Sequence, residues 1–318
     1  MKHTLTVTLV LISFFILSQV VGLWLINKES HVSFDKSINE TVVTFNDTAV
    51  GPRPETTGSG SLIYVLIAIF IGTMLVLLIV KYGKVNIWKT WFFFAVWMTS
   101  SVSIGAIIKT NVYFQFDIAI FIALLLTIWK LFKPNILIHN ITEVLKYAGI
   151  GLILVPIFDV TWAIVLLVII SIYDIYAVWH SKHMVKMAEF QTQSKVFAGL
   201  MIPYTTPDSL KPRKQKNVKM IVSKGKIKVA SGPKTAILGG GDIAFPLIFS
   251  GTVMNGLLLE GMSKSSAFLH ASIITLTTTI ALGLLFMFAK KDKFYPAMPF
   301  VTAGCLIGWA IILLIGIL

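Results

Sequence analysis

Residues 160–180 read VTWAIVLLVIISIYDIYAVWH. A run of this length, rising 1.5 Å per residue as a helix, spans a hydrocarbon core of about 30 Å. Asp174 does not belong in such a setting. An ionised carboxylate at a helix centre costs roughly 2.5–3.5 kcal/mol on insertion scales, and such residues are rare and usually functional. The next long apolar stretch, 235–257, reads TAILGGGDIAFPLIFSGTVMNGL and holds a second carboxylate, Asp242. Asp174 precedes Lys182 by eight residues, and Asp242 follows Lys234 by eight. Consecutive spans run antiparallel, so both acids lie about 12 Å along the helix from a basic boundary at the same end. If the two helices touch, the carboxylates meet at one depth.

The composition agrees with a membrane setting. The chain has 318 residues, of which 56% are hydrophobic and only 13% charged, and its mean hydropathy is +0.84. Soluble domains carry about 25% charged residues, so this is an integral membrane protein. The net charge of +13 then points to loops facing anionic lipid, and nucleic acid is not expected as a partner. Cys305 is the only cysteine, which excludes an intrachain disulfide. No Cys/His cluster of metal-ligand spacing and no His-Glu-x-x-His occurs, so neither a metal nor another cofactor is expected. The apolar run 5–26 is too long for a signal-peptide core and lacks a small-x-small cleavage site, so it is expected to stay as a first span.

The expected fold is an all-α polytopic bundle of about nine transmembrane helices. The spans are 5–26, 61–80, 91–108, 112–130, 136–157, 160–180, 235–257, 265–289 and 297–318, and together they form one membrane-embedded domain, 1–318. The fifth is the most polar, with His139, Asn140, Glu143 and Lys146; Glu143 and Lys146 are three apart and pair on one helix face. With the N-terminus inside, Lys2, Lys81, Lys84, Lys89, Lys130, Lys133, the basic residues of 181–234, Lys290, Lys291 and Lys293 fall on the cytoplasmic side. Lys28, Lys36, Arg53, Lys109 and Lys264 fall outside. This asymmetry predicts a cell-membrane protein with N-terminus and 181–234 loop cytoplasmic and C-terminus outside. Residues 27–60 form an exterior loop. In the cytoplasmic loop, 184–197 is expected to lie in the membrane interface, and 218–230 reads as a β-hairpin around Ser223-Lys224-Gly225.

Two close carboxylates do not both ionise cheaply, so they share a proton. One then serves as base toward water and the other as acid toward a carbonyl. Asp242 is preceded by Gly239, Gly240 and Gly241, and each glycine inside a helix costs about 1 kcal/mol relative to alanine. The run either loosens the helix start for close approach of another backbone or serves helix packing alone. Pro246 lacks the N–H that would bond the carbonyl of Asp242. Tyr295-Pro296-Ala297-Met298-Pro299 opens the last span. It reads either as an ordinary proline helix start or as a turn whose amides stay open.

Tyr173-Asp174, Gly239-Gly240-Gly241-Asp242 and Pro296-Ala297-Met298, in spans six, seven and nine, resemble the presenilin and signal-peptide-peptidase family of intramembrane aspartyl proteases. The family pattern is Tyr-Asp, Gly-x-Gly-Asp and Pro-Ala-Leu. Met298 in place of leucine is a nearly volume-conserving change. The resemblance implies a presenilin-like fold with Asp174 and Asp242 as the catalytic pair. It implies that Gly239, Gly240 and Gly241 let the substrate approach, and that Tyr173, Pro296, Ala297 and Met298 shape its pocket. It also implies transmembrane protein or peptide substrates and the lipid bilayer as partners. The short length resembles archaeal members that work without accessory subunits.

A proton-coupled secondary transporter also needs intramembrane carboxylates and broken helices, but the acids here lie off-centre and no internal repeat is evident. Asp117 and Asp159 are expected to be interfacial or capping residues. Ser266 and His270 are expected to serve packing or helix-start hydrogen bonding. Trp88, Trp91 and Trp179 are read as interfacial aromatics.

Overall fold

A computed structural model describes residues 5–36, 39–108, 112–133, 135–181, 184, 187, 190–191, 194, 196–204, 234–289 and 295–317. Helix α1 (Leu5–Glu29) leads into a hairpin, β1 (Ser30–Asp35) and β2 (Glu40–Phe45). Four helices follow: α2 (Ser59–Tyr82), α3 (Val85–Ile107), α4 (Val112–Phe132) and α5 (Ile136–Leu154). A 3-10 turn, Val155–Ile157, joins α5 to α6 (Val160–Ile175), which widens into a π-helical turn over Tyr176–His180. The strands β3 (Gly199–Tyr204) and β4 (Lys234–Gly239) precede α7 (Gly241–Leu259), α8 (Lys264–Phe288) and α9 (Met298–Ile317). Among the described residues, eight helices are long and apolar enough to cross a membrane, and α4 is apolar over Ile118–Phe132. This is the expected polytopic bundle with two short strand pairs added.

Helix α7 is the centre of the bundle. Ile243, Leu247, Phe249 and Met254 are all but fully buried, and α1, α5, α6, α8 and α9 pack around them. Lipid tails are as apolar as leucine, so close backbone approach and internal polar contacts hold such helices together. A Cβ on Gly149 of α5 would fall 1.9 Å from the carbonyl oxygen of Thr99 in α3. Cys305 of α9 is fully buried with its Sγ 3.6 Å from Thr278 Oγ1 of α8. Helix α2 stands at the edge, with only Ser61, Leu62, Val65 and Val76 buried.

Side chains meet the open backbone groups at helix ends. Asn135 caps α5 through Leu137 N, Asp159 caps α6 through Trp162 N, and Ser263 caps α8 through Ser266 N. Such a cap contributes about 1 kcal/mol. Pro156 has no N–H to give the carbonyl of Leu152, four residues before it. Arg53 Nε donates to that carbonyl at 2.9 Å instead. Burial lowers the Arg53 pKa from its ordinary value, against the opposing pull of Glu29 and Asp47.

Several boundaries differ from those expected. The seventh span was expected over 235–257, but Lys234–Gly239 is a strand paired antiparallel with Gly199–Tyr204. Three successive glycines disfavour helix, and β3 takes up the backbone groups along one edge of this segment. The exterior loop 27–60 holds the β1–β2 hairpin. Trp88, read as an interfacial aromatic, is buried within the protein, and its Nε1 donates to the Val196 carbonyl at 3.1 Å. Met187 and Phe190 pack on a cluster of Val76, Trp88, Phe92, Val96 and Val196, so these two residues of 184–197 lie against the protein. Lys130, read as a boundary residue, is 4% exposed because it pairs with Glu143. The hairpin expected over 218–230 and the side chain of Asp117 lie outside the described residues.

Candidate active site

Helix α6 carries Tyr173 and Asp174 just before its turns widen. Asp174 is 3% exposed. Its Oδ2 accepts the backbone N–H of Met298 at 3.0 Å, and the backbone of Ala297 also bonds to it. The Pro296–Pro299 turn therefore does present its amides, and the acid of α6 is what they meet. Pro296 is buried, Ala297 is partly buried and Met298 is 2% exposed.

Asp242 stands in the first turn of α7 and is partly buried. Its side chain bonds back to the backbone of Gly239, and Asp174 lies within electrostatic range of it. The two carboxylates line one cavity of about 220 Å³. Tyr173, Gly239, Gly240, Gly241, Phe245 and Met298 line it with them, as do Ile170, Gln191, Phe197 and Ala198. Of the nine site residues expected from the sequence, only Pro296 and Ala297 are not among those lining the cavity; they form the turn behind Met298.

The three glycines are not equivalent. A Cβ on Gly240 would fall 2.6 Å from the Tyr147 hydroxyl, and one on Gly239 would fall 3.0 Å from Asp242 Oδ2. One on Gly241 meets only Phe245, at 3.4 Å. Close approach within the protein thus constrains Gly239 and Gly240. Gly241, exposed at the cavity, keeps its outer face open.

Behind the glycines lies a polar network on α5 that reading the chain revealed only in part. Tyr147 donates to Glu143 Oε2 at 2.5 Å. Glu143 pairs with Lys146, as expected, and also with Lys130 from α4. Lys146 Nζ sits 4.4 Å from the centroid of the Tyr147 ring. The β3–β4 pair was also missed, although the β-branched and aromatic residues around 196–204 carried a weak strand signal. Ser266 and His270 bond within their own helix turn, His270 Nδ1 lying 2.8 Å from the Ser266 carbonyl. Among the described residues, no group of three or more His, Cys, Asp or Glu could hold a metal ion.

The family model described as signal-peptide peptidase, presenilin aspartyl protease matches residues 9–317. The chain belongs to this family, and its class is that of a multi-pass intramembrane aspartyl protease. Two solved structures share the fold. A presenilin family intramembrane aspartate protease in a C222 crystal form superposes with a TM-score of 0.58 at 17% identity, covering 96% of this chain and 97% of the other. A presenilin family intramembrane aspartate protease in a P2 form gives a TM-score of 0.58 at 18% identity, covering 98% of each chain. No curated protein matches the sequence.

Proposed function

We propose that the protein is an endopeptidase of the Gly-x-Gly-Asp type that cuts peptide bonds in or near transmembrane segments, with Asp174 and Asp242 as its acid–base pair. The observation that carries this reading is that carboxylates from two different helices open onto one cavity. The ionised partner takes a proton from water as the water oxygen attacks the peptide carbonyl carbon, and the protonated partner gives its proton to the carbonyl oxygen. When the resulting diol collapses, the C–N bond breaks. The leaving nitrogen takes the proton held by the first carboxylate, and the second recovers one from a diol hydroxyl. The Met298 amide orients Asp174 during this exchange. No covalent intermediate and no metal is needed.

The substrates are single-span proteins or signal-peptide remnants. A second cavity, of about 280 Å³, runs between α2 and α6 and is lined by Leu66, Ile69, Phe70, Thr73, Met74, Leu77, Ile169, Ile170 and Tyr173. It shares Ile69, Ile170 and Tyr173 with the aspartate cavity. It supplies an apolar path from lipid to the carboxylates, beside the least buried helix of the bundle. Helical peptide bonds must unwind before they are cut. Among the described residues β4 pairs only with β3, so its second edge can take up an unwound segment as an added strand. In this reading the N-terminus and the 181–234 loop are cytoplasmic, the membrane is the cell membrane, and the chain works without an accessory subunit.

The deciding experiment is cleavage of a reporter transmembrane peptide by the purified protein in lipid. Cleavage lost in both Asp174→Asn and Asp242→Asn is the expected result. Solute flux by wild-type protein without proteolysis would replace the reading with that of a transporter.

A further inference from the structure

Strand β3 has two edges. One pairs with β4 in the register Gly199↔Gly239 and Met201↔Ile237. The other faces α5, where Asn140 meets Met201 twice: its Nδ2 donates to the Met201 carbonyl at 3.1 Å, and its Oδ1 accepts the Met201 N–H at 3.0 Å. Two residues earlier in the strand, His139 Nε2 donates to the Gly199 carbonyl at 2.9 Å. In a strand, alternate residues direct their N–H and C=O to the same edge. Gly199 and Met201 are therefore the residues that a third strand would engage there. An amide that both donates to and accepts from one residue reproduces a hydrogen-bonded strand pair. Asn140 is fully buried and His139 is 8% exposed.

The same helix touches the site a second time. Tyr147 lies seven residues from Asn140, two turns along one helix face, and its hydroxyl abuts Gly240. The Gly240 N–H bonds to the Ala198 carbonyl at 3.2 Å, just before β3. A Cβ on Gly199 would fall 2.2 Å from the Leu238 carbonyl oxygen, so the two strands meet at a spacing only glycine permits. Asn140 is thus bonded to Met201 of β3, β3 is paired with β4, and the Gly239 backbone at the end of β4 bonds to Asp242.

We propose that Asn140 is a positioning residue of the active site. It takes the place of a third strand on the outer edge of β3, holding the ribbon in register and so setting the depth of Asp242 against Asp174. This rests on the aspartate-pair reading above. A residue that merely satisfied buried polar groups would act on stability alone. A residue that sets register acts on turnover in molecules that remain folded.

The test uses the full chain in lipid with the reporter peptide, comparing wild type, Asp242→Asn, Asn140→Leu and Asn140→Gln. Leucine keeps the size and removes both bonds; glutamine keeps the amide. In Asn140→Leu, kcat is expected to fall by up to about 100-fold, as misplacement by an ångström does, with KM unchanged. Hydrogen exchange is expected to quicken in peptides covering 199–204 and 234–242 while the helices stay protected. Asn140→Gln is expected to recover part of both. Wild-type kcat and unchanged exchange in folded Asn140→Leu would overturn the inference and leave the protease reading intact. Cleavage that survives in Asp242→Asn would overturn that reading instead, with the exchange data still deciding whether Asn140 holds the ribbon. If Asn140→Leu does not fold, the same readouts on Asn140→Ser decide.

Discussion

The backbone N–H of Met298 donates to Oδ2 of Asp174 across 3.0 Å. This bond joins the start of the last helix to the end of the sixth, and it uses an amide rather than a side chain. Met298→Pro deletes that donor and Met298→Leu retains it. A hydrogen bond to a charged group is worth about 1.5–3 kcal/mol, which is about 10- to 100-fold in rate. Steady-state cleavage is expected to show that loss in kcat for Met298→Pro and little change for Met298→Leu. Equal losses in both would assign the effect to the side chain.

Gly240→Ala is expected to be the most damaging alanine replacement in the glycine run. The added methyl would meet the Tyr147 hydroxyl at 2.6 Å, and overpacking of this kind costs about 1–3 kcal/mol. Gly241→Ala is expected to leave thermal stability near wild type, because its methyl meets only Phe245 at 3.4 Å. Melting temperatures of the two variants in one detergent give the comparison.

Glu143 balances two buried lysines, Lys130 and Lys146. Glu143→Gln leaves both cations without a counter-charge, and breaking a buried pair in this way costs about 3–5 kcal/mol. Lys130→Met is expected to cost less, because the carboxylate keeps Lys146. Equilibrium unfolding of the two variants checks the order; a milder effect for Glu143→Gln would contradict it.

Arg53 and Pro156 form a compensating pair. Arg53→Ala is expected to destabilise by about 1–3 kcal/mol, because the buried Leu152 carbonyl loses its donor. Pro156→Ala supplies a backbone N–H four residues after Leu152 and is expected to restore much of that loss in the double variant. A double-mutant cycle on unfolding free energy measures the coupling.

The features most legible in the chain were those out of place in their surroundings. Asp174 and Asp242 stand out because each is an acid in an apolar run, and Pro296 and Pro299 because two prolines three apart mark the start of a span. Thr235 to Leu238 was less legible. A short apolar run beside a longer one has the same hydropathy as strand or as helix, and the partner that makes it a strand lies some 35 residues earlier. Lys130 looked like a boundary lysine because its counter-ion is on the next helix. Asn140 and Tyr147 look like ordinary residues of a polar span, and their contacts with Met201 and Gly240 depend on what the chain brings across α5 from about sixty to a hundred residues further on.

Cys305 is the chain's only thiol and is fully buried between α8 and α9. Thiol-reactive dyes and spin labels should therefore pass over the native molecule without any background replacement. A cysteine introduced at Leu66 on α2 and another at Ile169 on α6, on the two helix walls of the apolar groove, would carry the only reporters present. Spectroscopic rulers placed there could follow the width of that groove as a substrate peptide is added.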